Sequence, residues 1–195
     1  GQHIDLSMSE TVTSVIPEAI MDYTLNQKVR EPVGNRDDTM APHGCYHCRG
    51  EDEWVAIAVE NQEEWESFCQ AIGNPLWTRE ERFSTILNRW QNQDELDKLI
   101  EGWTTNYSAY EVMEILQKIG IAVGPSLNVE QLINDSHLKE RDFLVEIDHL
   151  KRKGYFVRLP WRLDKAPEGN YQPAPLLGEH SNYVLGELLD ISDKE

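Results

Sequence analysis

His43, Cys45, His47 and Cys48 place four possible metal or thiol ligands within six residues of this sequence. Zinc takes four convergent nitrogen or sulfur ligands, usually supplied by two separated pairs. No second Cys or His pair here has the spacing to complete such a site, and on a strand Cys45 and Cys48 face opposite sides. A redox Cys-x-x-Cys opens a helix, whereas this one runs into strand-like sequence. Buried thiols are the better reading, and no metal or other cofactor is expected. Asp37 and Asp38 are adjacent carboxylates in a loop bounded by Gly34 and Pro42. Loops held by a scaffold often carry function, yet consecutive acids also make ordinary solvated turns, and the pair alone does not decide. Glu179 and His180 have the composition of an acid–base pair but equally suit the first turn of a helix, where an acid complements the dipole. Glu60, between a strand and a helix, shares that ambiguity. The sequence contains no nucleophile elbow, phosphate loop or dinucleotide fingerprint.

The elements around these residues are legible from periodicity. Val12, Val15, Ile16, Ala19, Ile20 and Tyr23 form a helical stripe interrupted by Pro17, which should kink or restart the helix. Residues 30–42 read as loop. Residues 44–49 and 54–59 read as two strands joined by a turn at Gly50-Glu51-Asp52. Four helices then follow, each with a capping signal: Asn61 with Glu64, Thr78 with Glu81, Asn92 with Glu95, and Ser108 with Glu111. Gly120 should terminate the last of them. Helical turns are expected at 129–134 and 137–141, and paired strands at 143–147 and 155–159. Residues 172–175 should be extended because of Pro173 and Pro175. A final helix over 181–189 should turn Val184, Leu185, Leu188 and Leu189 inward. These stripes read as core faces, and residues of about 40–160 as a compact α+β domain.

Composition narrows the classes. The 195 residues are 39% hydrophobic with six Trp and seven Tyr, enough for a core. No apolar run reaches the length of a membrane span, and residues 2–7 show no basic leader or apolar signal region. Three Cys, an odd number, fit a reducing, cytoplasmic compartment better than a disulfide scaffold. The net charge of −17 argues against a nucleic-acid partner. The basic residues concentrate at Lys151-Arg152-Lys153, with Arg158, Arg162 and Lys165 beyond. That run reads best as a solvated turn between strands, although a local patch can hold a phosphate on an acidic protein.

Two segments carry a resemblance. Gly34-Asn35-Arg36-Asp37-Asp38-Thr39-Met40-Ala41-Pro42-His43-Gly44 leads into Trp54-Val55-Ala56-Ile57-Ala58-Val59, and Pro173-Ala174-Pro175-Leu176-Leu177-Gly178-Glu179-His180 follows about 130 residues later. Together, and in order along essentially the whole chain, they resemble the C-terminal half of a family III CoA-transferase of the CaiB/BaiF group. The resemblance implies an α+β small domain over 35–160. Residues 1–34 would end the first pass of a large Rossmann-like domain, and 161–195 would return to it. It further implies an interlocked homodimer and covalent catalysis by an aspartate lying upstream of this chain. Asp5 and Asp22 do not occupy that motif, so the chain is expected to be a fragment, inactive alone; the lack of an initiator Met fits. The substrates implied are an acyl-CoA and a carboxylic acid, with coenzyme A as carrier.

Residues 35–42 are similar in position to the glycine-rich loop that covers the intermediate in formyl-CoA transferases, but here they contain no glycine. That departure argues against oxalate or formyl specificity, while Asn35, Arg36, Asp37, Asp38, Pro42, His43 and Gly44 remain the candidate substrate-binding residues. The α-methylacyl-CoA racemase group is the rival within the fold, with an acid near the position of Glu60. His43-Gly44 followed by Tyr46 matches the transferase pattern better. A non-catalytic acidic interaction module is the rival outside it.

Overall fold

The structure, a computed structural model, describes residues 3–149, 152–160 and 171–191. It is α+β and divides into two units, Gly1–Ser126 and Leu127–Glu195, a division that falls within residues 35–160.

The first unit opens with α1 (Met8–Ser14) and α2 (Pro17–Asn26). Ser7 caps α1, and Pro17 sits at the first turn of α2, where its missing N–H costs nothing. The expected stripe forms, yet α1 and α2 bury no residue, and Val12, Val15, Ile16, Ile20 and Tyr23 are exposed.

β1 (His43–His47) and β2 (Trp54–Ala58) make the expected hairpin. Gly50 and Asp52 take the positive φ values its turn requires, at 137° and 56°. β2 alternates, with Val55 and Ile57 buried and Ala56 exposed between them. A third strand, β3 (Ala122–Ser126), pairs antiparallel with β2 and makes it central. Periodicity did not predict this strand because Gly124-Pro125 reads as a break. Pro125 is accommodated because β3 is an edge, where a missing N–H interrupts no ladder.

Helices α3 (Gln62–Ala71), α4 (Ile86–Gln91), α5 (Gln93–Thr104) and α6 (Ala109–Gln117) complete the unit. α5 lies against β1 and α6 against β3. Trp65, Phe68, Leu96, Ile100, Val112 and Leu116 meet Tyr46, Val55 and Ile57 in one core. Ser108 and Glu111 form the full reciprocal capping box. Asn61 caps α3 as expected through Glu64 N–H, while Glu64 reaches the backbone of Glu60 instead.

Two caps differ from expectation. Thr78 lies inside a short helical turn, Leu76–Arg79, and donates to the Pro75 carbonyl. Asn74-Pro75 has already started that turn three residues earlier, so Thr85 caps α4 through Asn88 N–H. Asn92 stands between α4 and α5 but makes no side-chain cap bond to α5. Its amide instead donates back to the Asn88 and Arg82 carbonyls, closing α4.

The second unit holds α7 (Val129–Asn134), α8 (Ser136–Glu140) and an antiparallel pair, β4 (Leu144–His149) with β5 (Arg152–Val157). Lys153 pairs with Glu146 at 2.9 Å across that ladder. Lys151, Arg162 and Lys165 of the basic concentration lie outside the described residues. Residues 171–176 form neither helix nor strand, and a π-helical turn spans Asn182–Leu188 where an α-helix was expected. Val184, Leu185, Leu188 and Leu189 are exposed rather than inward, because no described residue packs over that stripe. Among the described residues no helix is long and apolar enough to cross a membrane.

Candidate functional site

The loop from Val33 to Pro42 is held at both ends and in the middle by backbone and side-chain contacts. At its start, Arg30 bonds Asp22 on α2 and Asp38 in the loop, both at 2.9 Å. Asp37 accepts from the N–H and hydroxyl of Thr39, each at 2.7 Å, an Asx turn. Those two bonds hold its carboxyl below the usual range. The Asp37 carbonyl accepts from Trp90 Nε1 at 3.1 Å. At the far end, a cis Ala41–Pro42 bond leads into β1. The buried Arg89 donates to the Ala41 carbonyl at 2.8 Å, and Val59 N–H donates to that of Pro42 at 2.9 Å.

The loop faces α5 across a cleft of ≈ 520 Å³ whose walls include Asn35, Arg36, His43, Gly44, Asp94 and Asp97. Arg36 reaches over it to Asp94, and its Nη2 is also 3.7 Å from Asp97 Oδ2. The Arg36 hydrogen bond lowers the pKa of Asp94, and Arg36 is raised in turn. Asp97 instead is raised, chiefly by burial. It accepts from the Tyr46 hydroxyl at 2.9 Å. Burial first, and then the neighbouring carboxylate, push that phenol far above its ordinary value, so Tyr46 remains a donor. His43 Nδ1 lies 2.6 Å from the Asn35 carbonyl. A carbonyl only accepts, so Nδ1 carries the hydrogen of that contact and Nε2 is left facing away from it.

The structure thus gathers Asn35, Arg36, His43 and Gly44 at one cleft. Asp37 and Asp38 line a second cleft of ≈ 470 Å³ beside Trp90, with Arg36 common to both. Pro42 is buried and lines neither. The sequence reading missed Tyr46, Asp94, Asp97 and Glu101. A signal for the last three was present: acids at 94, 97 and 101 fall three and four apart, on one side of α5 beside its apolar stripe. Cys45 is half-buried on β1 and Cys48 is in the core. Burial raises both thiols, Cys48 to about 11, so neither is poised as a nucleophile at neutral pH. Glu60 is exposed, and Glu179 accepts from Leu176 N–H at 2.6 Å.

The profile of CoA-transferase family III matches residues 1–181, and the chain belongs to that family. It is 26% identical to a succinyl-CoA–D-citramalate CoA-transferase of Chloroflexus aurantiacus, over its full length and 48% of the relative's. A formyl-CoA:oxalate CoA-transferase of Bradyrhizobium diazoefficiens is 35% identical over 132 residues, 67% of this chain and 31% of that protein. The crystal structure of a CaiB/BaiF family protein from Brucella suis superposes with a TM-score of 0.78 at 26% identity. That match covers 96% of this chain and 48% of the Brucella chain. The chain therefore spans about half the length of the Chloroflexus relative and of the Brucella chain.

Proposed function

We propose that this chain is part of an acyl-CoA:carboxylate CoA-transferase whose nucleophilic aspartate lies upstream of Gly1, in the half that the relatives carry in addition. The reading is supported by the family match and by the coverage of only about half of the Chloroflexus relative and of the Brucella chain. In the complete enzyme the carboxylate attacks the donor thioester carbonyl, the C–S bond breaks, and a mixed anhydride forms beside coenzyme A thiolate. The thiolate attacks the aspartyl carbonyl of the anhydride and releases the donor acid, leaving an aspartyl-CoA thioester. The acceptor carboxylate attacks that thioester to give a second anhydride. Thiolate attack on its acceptor carbonyl then yields the new acyl-CoA and restores the aspartate. No step needs a cofactor, but each needs water kept out.

This chain would then supply one wall of the acyl site rather than a reacting group. Residues 1–34 and 161–195 would belong with the large domain and 35–160 with the small one, in a cytoplasmic homodimer. The observation that carries the assignment of the wall is the cleft between loop 33–42 and α5. There Asn35 and His43 are already held together beside the charged face of α5. Asn35 meets His43 through its backbone carbonyl, so its side-chain amide remains able to orient a substrate carboxylate.

The variants Asn35→Ala and His43→Ala of the complete enzyme test this. Asn35→Ala keeps the backbone contact and removes only the amide, whereas His43→Ala also releases the loop. Each should lose about 1–3 kcal/mol in kcat/KM for the acceptor acid with folding nearly intact. Wild-type kinetics for both variants would return the loop to a scaffolding role. Acid-independent exchange of the acyl α-hydrogen would favour a racemase instead.

A further inference from the structure

Gly44, Tyr46, Asp97 and Arg36 form a continuous line of contacts from the hairpin to the loop. Gly44 and Tyr46 lie on one face of β1, two residues apart. A Cβ at Gly44 would sit 3.0 Å from the Tyr46 hydroxyl and 3.1 Å from its Cζ, so the absent side chain is the space the ring occupies. Lying along the strand, the phenol reaches Asp97 on α5. Asp97 Oδ2 in turn faces Arg36 Nη2, the nitrogen that also binds Asp94. Asp94 is exposed, and an exposed ion pair alone holds a long side chain weakly. Asp97 is better shielded and is fixed from behind by a buried hydroxyl.

We propose that Asp97 is a positioning residue for acid selection: with Tyr46 behind it, it fixes Arg36, and Arg36 fixes the approach of Asn35 to the cleft. This rests on the reading that the cleft faces the acyl group. Asp97 is faced by Tyr46 from β1, by Arg36 from the loop, and by Asp94 and Glu101 from α5. Because burial raises its pKa, its ionised form opposes folding above that pKa, and the native state gains relative stability as pH falls through it. An isosteric neutral replacement removes the charge that faces Arg36 while keeping an acceptor for the Tyr46 hydroxyl.

The test uses Asp97→Asn, which still accepts from Tyr46, together with Tyr46→Phe and the conservative Asp97→Glu. In the complete enzyme, KM and kcat are measured for a small monocarboxylate and a dicarboxylate, alongside KM for the acyl-CoA and the thermal midpoint. Asp97→Asn should raise the acid KM about 10-fold and shift the ratio between the two acids. It should leave the acyl-CoA KM and the midpoint unchanged or the midpoint higher, and Asp97→Glu should recover part of the loss. An unchanged acid KM, or a loss shared by the acyl-CoA KM and the midpoint, overturns the proposal. Deuterium uptake over residues 34–40 separates it from the functional reading, since it needs no turnover. Faster uptake in both Asp97→Asn and Tyr46→Phe supports the positioning role even if no acid is a substrate, and unchanged uptake removes it.

Discussion

Arg89→Ala is expected to destabilise the first unit by about 3–5 kcal/mol, measured by chemical denaturation. Arg89 sits on the short helix α4 with no exposed surface. Its Nε donates to the Ala41 carbonyl at 2.8 Å, and its Nη1 donates to Phe83 O at 3.2 Å and Gln62 Oε1 at 3.0 Å. Removing the guanidinium strands the buried Ala41 and Phe83 carbonyls without their donor, whereas Gln62 is exposed and can turn to water, and it opens a cavity as large as the side chain. The group is itself costly: burial lowers its pKa to about 10, and among the described residues its Nη2 has no hydrogen-bond partner. Arg89→Met separates the contributions, because it refills volume without restoring the donors, and it should fall between wild type and alanine. Since the Ala41 carbonyl is the far post of loop 33–42, both variants should also loosen the cleft. A cost below about 1 kcal/mol for alanine would mean that the acceptors find other partners.

Trp65→Ala is expected to cost about 3–5 kcal/mol for a related reason. Trp65 stacks on Phe68 with centroids 5.7 Å apart and an 18° tilt, and it meets Trp77 at 6.2 Å. The Arg89 guanidinium lies 4.6 Å from the centre of its ring, where the negative face of the indole stabilises a desolvated cation. The two losses should therefore not add. A double-mutant cycle should return a coupling of about 1–2 kcal/mol, and additivity within about 0.5 kcal/mol would show that the ring and the cation act separately.

These two residues also mark what pattern reading can and cannot reach. The apolar stripes of α3, α5 and α6, the hairpin and the Ser108 capping box follow from contacts within a few residues, so spacing reveals them. Arg89 is invisible to that method. Its helix reads Ile86-Leu87-Asn88-Arg89-Trp90-Gln91, and the structure buries the arginine while Leu87 and Trp90 stay exposed. Tertiary hydrogen bonds to the Ala41 and Phe83 carbonyls override polarity there. The candidate loop was recognisable from its composition and its resemblance, but its partners were not. Arg36 meets acids 58 and 61 positions away, and Tyr46 meets one 51 positions away. No local window spans such distances. β3 was hidden because Pro125 looks like a terminator until the strand is known to be an edge. The last apolar stripe was read as the inward face of an α-helix, but the segment is a π-helical turn and the stripe is exposed, since periodicity does not say what covers it.

The central claim is that this chain contributes a wall of the acyl site while the reacting carboxylate lies elsewhere in the complete enzyme. The most direct measurement is to treat the complete enzyme and the isolated chain with acyl-CoA, trap activated carboxyls with hydroxylamine, and locate the hydroxamate by peptide mass spectrometry. The account predicts a single modified aspartate upstream of Gly1 in the complete enzyme and no modification of the isolated chain. A hydroxamate at Asp37, Asp38, Asp97 or any other carboxylate of these 195 residues would contradict it.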